Sequence, residues 1–166
     1  MTYYTFLESP VGPLQLISDG EALTGLFMNE HKGGPVTGED WIRDDDNAVL
    51  AEAKRQIAAY FAGERKIFDL PLAARGTPFQ QRVWEALREI PYGTTISYGE
   101  LARRIGNPGA SRAVGLANGS NPISIIVPCH RVIGANGKLT GYGGGIERKK
   151  ALLALEAHAG ATLTLL

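Results

Sequence analysis

The chain has little cysteine and histidine. Of 166 residues one is Cys, at position 129, and three are His. One thiol cannot close an internal disulfide, and one thiol with three scattered imidazoles cannot build a Cys-rich zinc site. Long apolar runs are missing too. No stretch reaches the roughly 18 residues that a membrane span requires. The opening MTYYTFLESP has no basic segment leading into an apolar core, so no secretory leader is expected. These absences point to a reducing compartment, a cytoplasmic location and no membrane partner. Hydrophobic residues make up 44% and charged residues 20%, which excludes a disordered chain and fits a folded globular one.

The net charge of zero conceals an asymmetry. Residues 1–76 hold 7 Lys and Arg against 12 Asp and Glu, and residues 77–166 hold 10 against 5. The two parts therefore carry −5 and +5. The basic part is the candidate for binding a polyanion, although an imbalance of this size also arises by chance.

The first segment has the pattern of strands. TYYTFL is β-branched and aromatic, SPVGP turns, LQLI alternates, SDGE turns again, and ALTGLFM completes an antiparallel meander. The polar, Gly- and Asp-rich stretch NEHKGGPVTGEDWIRDDDN is expected to be one long loop. The period then changes. Val49, Leu50, Ala53, Ile57, Tyr60 and Phe61 form a helical stripe, with Asn47 as its cap and Gly63 as its stop. ERKIFDLPLAARG has the character of a linker.

The second half opens with a helix over TPFQQRVWEALREI. Thr77 is its N-cap, Pro78 its first residue, and Gln80 completes a capping box. Phe79, Val83, Trp84, Leu87 and Ile90 form the apolar stripe. SYGELARRIG follows, with Ser97 and Glu100 spaced as a second box. After the turn NPG comes ASRAVGLANGS, a helix of small residues. The spacing is that of a helix-turn-helix. Arg112 is the single long side chain on the second helix, beside Ala110 and Ser111. Such a slim helix suits a narrow groove better than major-groove reading. Close helix–helix packing explains its small residues equally well. NPISIIVPC is then expected to be a turn and a buried strand, HRVIGANGKLTG an extended piece with a Gly/Asn turn, and YGGG a loop. The closing helix places Ile146, Leu152, Leu153 and Leu155 inward. The expected fold class is mixed α/β (α+β). A small antiparallel sheet with a helix occupies residues 1–72, and a mainly helical part with the helix-turn-helix occupies 77–166.

A lone intracellular cysteine is usually an inert buried hydrophobe. Cys129 has a different setting. Pro128 biases Val127 toward an extended conformation, and the polar pair His130 and Arg131 follows at once. A thiol with its ordinary pKa near 8.5 is mostly protonated at neutral pH, and an imidazole with nearby cations can activate it. On a strand, adjacent side chains point to opposite faces. Direct contact between Cys129 and His130 therefore needs a bend or a bridging water. The local signatures of thiol proteases are absent.

PCHRVIG after NPISIIV, with SRAVGLANGSNP before it and GYGGGIERK behind it, resembles the methylated-DNA–protein-cysteine methyltransferases, the O(6)-alkylguanine-DNA alkyltransferase family. The resemblance is dense over residues 77–156. The first 70 residues match only the family's general pattern, a ribonuclease-H-like sheet with helices. The resemblance implies direct-reversal DNA repair on double-stranded DNA carrying O(6)-alkylguanine, and O(4)-alkylthymine beside it. The helix-turn-helix enters the minor groove and the damaged nucleotide is flipped out. Cys129 matches the acceptor, used once. His130 matches the residue that polarises it through water, and Glu156 the carboxylate that orients the histidine. Asn121 matches the residue that shapes the turn beside the pocket. Tyr98 matches the side chain that rotates the phosphate and donates to the base, and Arg112 the one that fills the vacated stack. Ala110 and Ser111 fall on the DNA-contacting helix, and Val132, Tyr142 and Gly143 line the pocket. No metal or organic cofactor is implied, and the protein is expected to be a monomer that can bind DNA cooperatively. Some members have serine where Gly143 stands and proline where Ser124 stands, which bears on the alkyl groups accepted. Two readings compete with this one. A non-enzymatic helix-turn-helix module would bind DNA without gaining alkyl mass. A cysteine hydrolase would turn over.

Overall fold

The computed structural model describes residues 1–28, 37–139, 142 and 145–158. Strands β1 (Tyr3–Leu7), β2 (Leu14–Ser18) and β3 (Leu23–Met28) form the expected antiparallel meander. Leu14 and Leu16 of β2 are buried on one face with Leu26 and Met28 of β3. Helix α1 (Ala48–Phe61) belongs to the same core, burying Leu50, Ala53, Ile57 and Tyr60. The Asn47 side chain accepts from the N–H groups of Val49 and Leu50, and Gly63 takes φ 77° just past the helix end.

Two segments of this half differ from expectation. The stretch after β3 is not one loop, because Ile42–Arg43 forms β4, which pairs in parallel with β1 and gives the order β3-β2-β1-β4. Two residues are too short to show a period. The pairing is pinned from outside, by the Thr5 hydroxyl donating to Asp45 at 2.6 Å. Nor is the segment at 64–76 a free linker. The N–H of Leu23 donates to Pro71 at 2.8 Å, the N–H of Ala73 donates back to Leu23 at 2.9 Å, and Leu70 is buried. Farther along β3, Leu26 donates to Pro122 at 2.9 Å and accepts from Ser124 at 3.1 Å. The outer edge of β3 is thus covered by the connecting segment and by the second half, which satisfies backbone groups that an open edge would leave exposed.

Helix α2 (Pro78–Arg88) starts with the complete Thr77–Gln80 capping box and buries Val83, Trp84 and Leu87. The Trp84 indole donates to Ala117 at 2.8 Å, tying α2 to the helix-turn-helix. That motif is α3 (Tyr98–Arg104) and α4 (Ser111–Gly119), joined by residues 105–110. The second capping box is only half made. Ser97 accepts from the N–H of Glu100, but the Glu100 carboxylate binds Arg103 and Arg104 instead of reaching back, since two cations on its own helix compete for it. On α4, Val114, Ala117 and Asn118 are buried, while Arg112, Ala113 and Leu116 face outward, Leu116 being 74% exposed.

The largest correction concerns the stretch before the cysteine. Residues 124–126 form a turn, with Ile125 at φ 72°, and Cys129–Arg131 is a 3₁₀ turn. Asn121 is the reason. Its carbonyl accepts from the N–H of Ile123 at 3.0 Å, and its amide donates to Val127 at 2.8 Å and Ile123 at 3.4 Å. One side chain takes the place of a strand partner, and the β-branched residues are buried without forming a strand. Short strands β5 (Ile96–Ser97) and β6 (Val132–Ile133) then pair in parallel. Helix α5 (Ile146–Ala157) closes the fold. Leu152 and Leu155 point inward as expected, but Ile146 and Leu153 are only half-buried, and Lys149 and Glu156 are buried in their place.

Candidate active site

Cys129 opens the 3₁₀ turn and is buried. Its N–H donates to Val127 at 2.8 Å, and its carbonyl accepts from the Asn118 amide at 3.3 Å. Burial pushes the thiol pKa up to about 11, against the opposing influence of the Asn121 side chain and the Lys149 charge. The thiol is therefore protonated at rest and needs a proton acceptor before it can attack.

His130 is completely buried on the same turn. Its Nε2 lies 2.7 Å from Glu156 Oε2. Glu156 accepts two further hydrogen bonds from Arg131, Nε to Oε1 at 2.8 Å and Nη2 to Oε2 at 3.0 Å, while Arg131 Nη1 donates to Ile90 at 2.7 Å. Burial alone would raise the Glu156 pKa, but the hydrogen bonds from His130 and Arg131 hold it at about 2. Burial lowers the pKa of His130, so the ring is neutral at physiological pH. An ionised carboxylate only accepts, which assigns the ring hydrogen to Nε2 and leaves a lone pair on Nδ1. Nδ1 has no hydrogen-bond partner among the described residues. The turn thus holds a protonated thiol next in sequence to an imidazole with a free basic nitrogen.

Lys149 is a third buried charged side chain among the described residues, after Glu156 and Arg131. Its ammonium donates to Val132 at 2.6 Å and lies 6.0 Å from the Tyr98 ring. Burial lowers its pKa, and the neighbouring Cys129 opposes that. Val132 and Tyr142 are buried around the cysteine, with the Tyr142 hydroxyl 3.9 Å from Met28 Sδ. Burial, followed by the Cys129 charge, holds the Tyr142 phenol well above its usual range.

The fold therefore gathers Cys129, His130, Glu156, Asn121, Val132 and Tyr142 into one buried cluster, with the half-buried Tyr98 beside Lys149. Ala110, Ser111 and Arg112 stand apart at the start of α4, with Arg112 exposed. Gly143 lies outside the described residues. Sequence reasoning noted Arg131 without giving it a role, and missed Lys149, Asn118 and Tyr60. Lys149, Leu152 and Glu156 share one helical face by spacing, which was the available signal. Tyr60 offered none.

Two family models cover most of the chain. The 6-O-methylguanine DNA methyltransferase DNA-binding domain matches residues 78–158, and the ribonuclease-like domain of the same enzymes matches residues 2–74. The chain belongs to the 6-O-methylguanine DNA methyltransferase family. A methylated-DNA–protein-cysteine methyltransferase of Mycobacterium tuberculosis is 59% identical over 166 residues, 99% of each chain. One from Methanosarcina acetivorans is 56% identical over 154 residues, 93% of this chain and 97% of that one. The crystal structure of Mycobacterium tuberculosis OGT in complex with DNA superposes with a TM-score of 0.87 at 56% identity, covering 97% of this chain and 96% of that one. Membership makes this chain a DNA-repair methyltransferase with a DNA-binding part and a ribonuclease-like part, and the expected mixed α/β architecture agrees with those neighbours. Among the described residues no helix is long and apolar enough to cross a membrane.

Proposed function

We propose that Cys129 accepts the alkyl group of O(6)-alkylguanine, and of O(4)-alkylthymine, from double-stranded DNA. The observation that carries this is the neutral His130, anchored through Nε2 on ionised Glu156, with Nδ1 left basic beside the single thiol. The thiol proton passes to Nδ1 through a water, and the thiolate sulfur attacks the alkyl carbon. The S–C bond forms as the C–O bond breaks, and the electron pair leaves with the base oxygen. A proton from the Tyr98 hydroxyl compensates the charge on the departing base. The buried Lys149 ammonium steadies the thiolate, which would otherwise sit uncompensated in an apolar site. The thioether has no hydrolysis route, so each molecule reacts once.

Substrate access belongs to the same reading. The buried thiol cannot reach a base inside a duplex, so the nucleotide is extruded. α4 lies in the minor groove with Arg112 in the vacated stack, and Val132, Tyr142 and Gly143 line the pocket. Residues 1–72 form a supporting unit and 77–166 the DNA-binding and acceptor unit, in a monomer. The deciding experiment is mass spectrometry after incubation with duplex DNA containing O(6)-methylguanine. One methyl mass on the Cys129 peptide, absent in Cys129→Ser while DNA binding persists, is expected. Transfer by the serine variant, or DNA binding with no mass gain, overturns the assignment.

A further inference from the structure

The Tyr60 hydroxyl donates to Glu156 Oε2 at 2.6 Å, and the two residues are 96 positions apart. Tyr60 is completely buried on α1, in the sheet-bearing half, whereas Glu156 is on the last helix. Oε2 is the same oxygen that holds His130. Burial and then the Glu156 charge push the Tyr60 phenol well above its usual range, so it keeps its proton and serves only as a donor. Three donors thus share Oε2: Tyr60, His130 Nε2 and Arg131 Nη2.

We infer that Tyr60 is a positioning residue for alkyl transfer, its hydroxyl setting how much of the Glu156 charge reaches His130. The inference rests on the reading of Cys129 as acceptor and His130 as the recipient of its proton. The physical reason is competition for one anion. Each hydrogen bond to Oε2 withdraws charge from the others, and a more strongly paired Glu156 supports an imidazolium less well. The remaining titratable neighbours of the His130–Glu156 pair are Tyr92 from the segment after α2, Cys129 and Arg131 from the 3₁₀ turn, Tyr142, and Lys149 on α5. Arg131 grips both carboxylate oxygens, so Glu156 keeps its orientation when the Tyr60 hydroxyl is removed. What changes is the share of charge. The ribonuclease-like part then does more than support the fold, because it adjusts the reactivity of a cysteine on the other part.

The test uses the full chain in two variants of opposite effect. Tyr60→Phe keeps the ring that packs against Phe61, Phe68 and Tyr92 but loses the donor. Site-specific 3-fluorotyrosine at position 60 keeps the hydroxyl and makes it a stronger donor. Two signals are read: the pH midpoint of single-turnover transfer from O(6)-methylguanine duplex, and the proton resonance of His130 Nε2–H, assigned with His130→Gln. Tyr60→Phe is expected to move the acid-side midpoint, below which His130 is already protonated and cannot take the thiol proton, up by about half a pH unit and the resonance downfield. The fluorinated protein is expected to move both the other way. Lost packing cannot produce that reversal of sign. If both signals stay in place in both proteins while the wild type transfers normally, Tyr60 is a packing residue and the inference is overturned. If the wild type gains no alkyl mass, the acceptor reading fails instead, and the resonance still decides whether Tyr60 and His130 share the Glu156 charge.

Discussion

Lys149 and Glu156 stand two turns apart on one face of α5, and both side chains are buried, one donating to Val132 at 2.6 Å and the other holding His130 at 2.7 Å. Seven residues fall only about 20° short of two full turns, so one helix face presents both groups to the cysteine turn. The cation acts on Cys129 and the anion on His130. In the proposed transfer, thiol ionisation would create a negative sulfur and a positive ring, and α5 opposes each of those charges with one of opposite sign.

Replacing Lys149 with Met keeps the length of the side chain and removes its charge. The thiol then keeps only hydrogen bonds, from the Asn121 side chain and its own backbone, to offset its burial. The pH midpoint of transfer is expected to rise by about one unit. Single-turnover rates across pH check this, and an unmoved midpoint would show that the cation does not reach the sulfur.

Glu156→Gln leaves the buried Arg131 guanidinium without its anion and replaces the charged acceptor of His130 with a neutral amide. Breaking one partner of a buried ion pair costs about 3–5 kcal/mol. Denaturant melts are expected to show a loss of that size, and transfer by the folded fraction is expected to slow. Full stability in the Gln variant would mean that Arg131 finds another partner.

Arg112→Ala removes an exposed side chain that the fold does not need. If the guanidinium offsets about 1.4 kcal/mol of the cost of flipping, transfer at saturating duplex falls about tenfold. Reaction with the free modified base is expected to stay the same, because nothing is flipped. An ordinary phosphate contact would weaken DNA binding yet leave the saturating rate normal.

Stability is expected to fall on both sides of neutrality. His130 has a lowered pKa in the folded protein, so its contribution is complete above the unfolded value of about 6.5 and is lost as pH drops below it. Glu156, also lowered, adds a further loss from about pH 4.3 downward, the unfolded value; that loss runs to its folded value of about 2. Cys129 is raised, so its contribution is complete below the unfolded value of about 8.5 and is lost above it; that loss runs to its folded value of about 11. Thermal melts across pH, with Cys129→Ser as reference, isolate the alkaline part. An equal alkaline fall in the serine variant would assign it to other groups.

Local physics was readable directly. The meander, the α1 stripe and the Thr77 capping box rest on contacts within a few residues, so their signals lie in adjacent positions. The thiol, its imidazole and Arg131 are consecutive in sequence, so the sequence alone sets them side by side as a candidate site. The spacing of small residues on α4 fitted both a groove-facing helix and a packed one, and the structure accommodates both, with an inner face of Val114, Ala117 and Asn118 and an outer face carrying Arg112 and Leu116.

Other features were settled by how distant segments meet. The run before Cys129 has strand composition, yet it pairs with β3 only at Ile123, and the side-chain hydrogen bonds of Asn121 then fold it into a turn. β4 lies beside β1 through the Ile42 N–H donating to Thr2 and the Asp44 N–H donating to Tyr4, with the Thr5–Asp45 bond just beyond, and two residues carry no period of their own. Lys149 and Glu156 look like the solvated side of a helix, since a charge is buried only when its partners are supplied from elsewhere. Those partners are Val132, Arg131, His130 and Tyr60, drawn from as far as 96 residues away. Spacing along the chain records which residues share a face. It does not record which face of another element will meet them, and that meeting makes the carboxylate an acceptor for both halves of the protein.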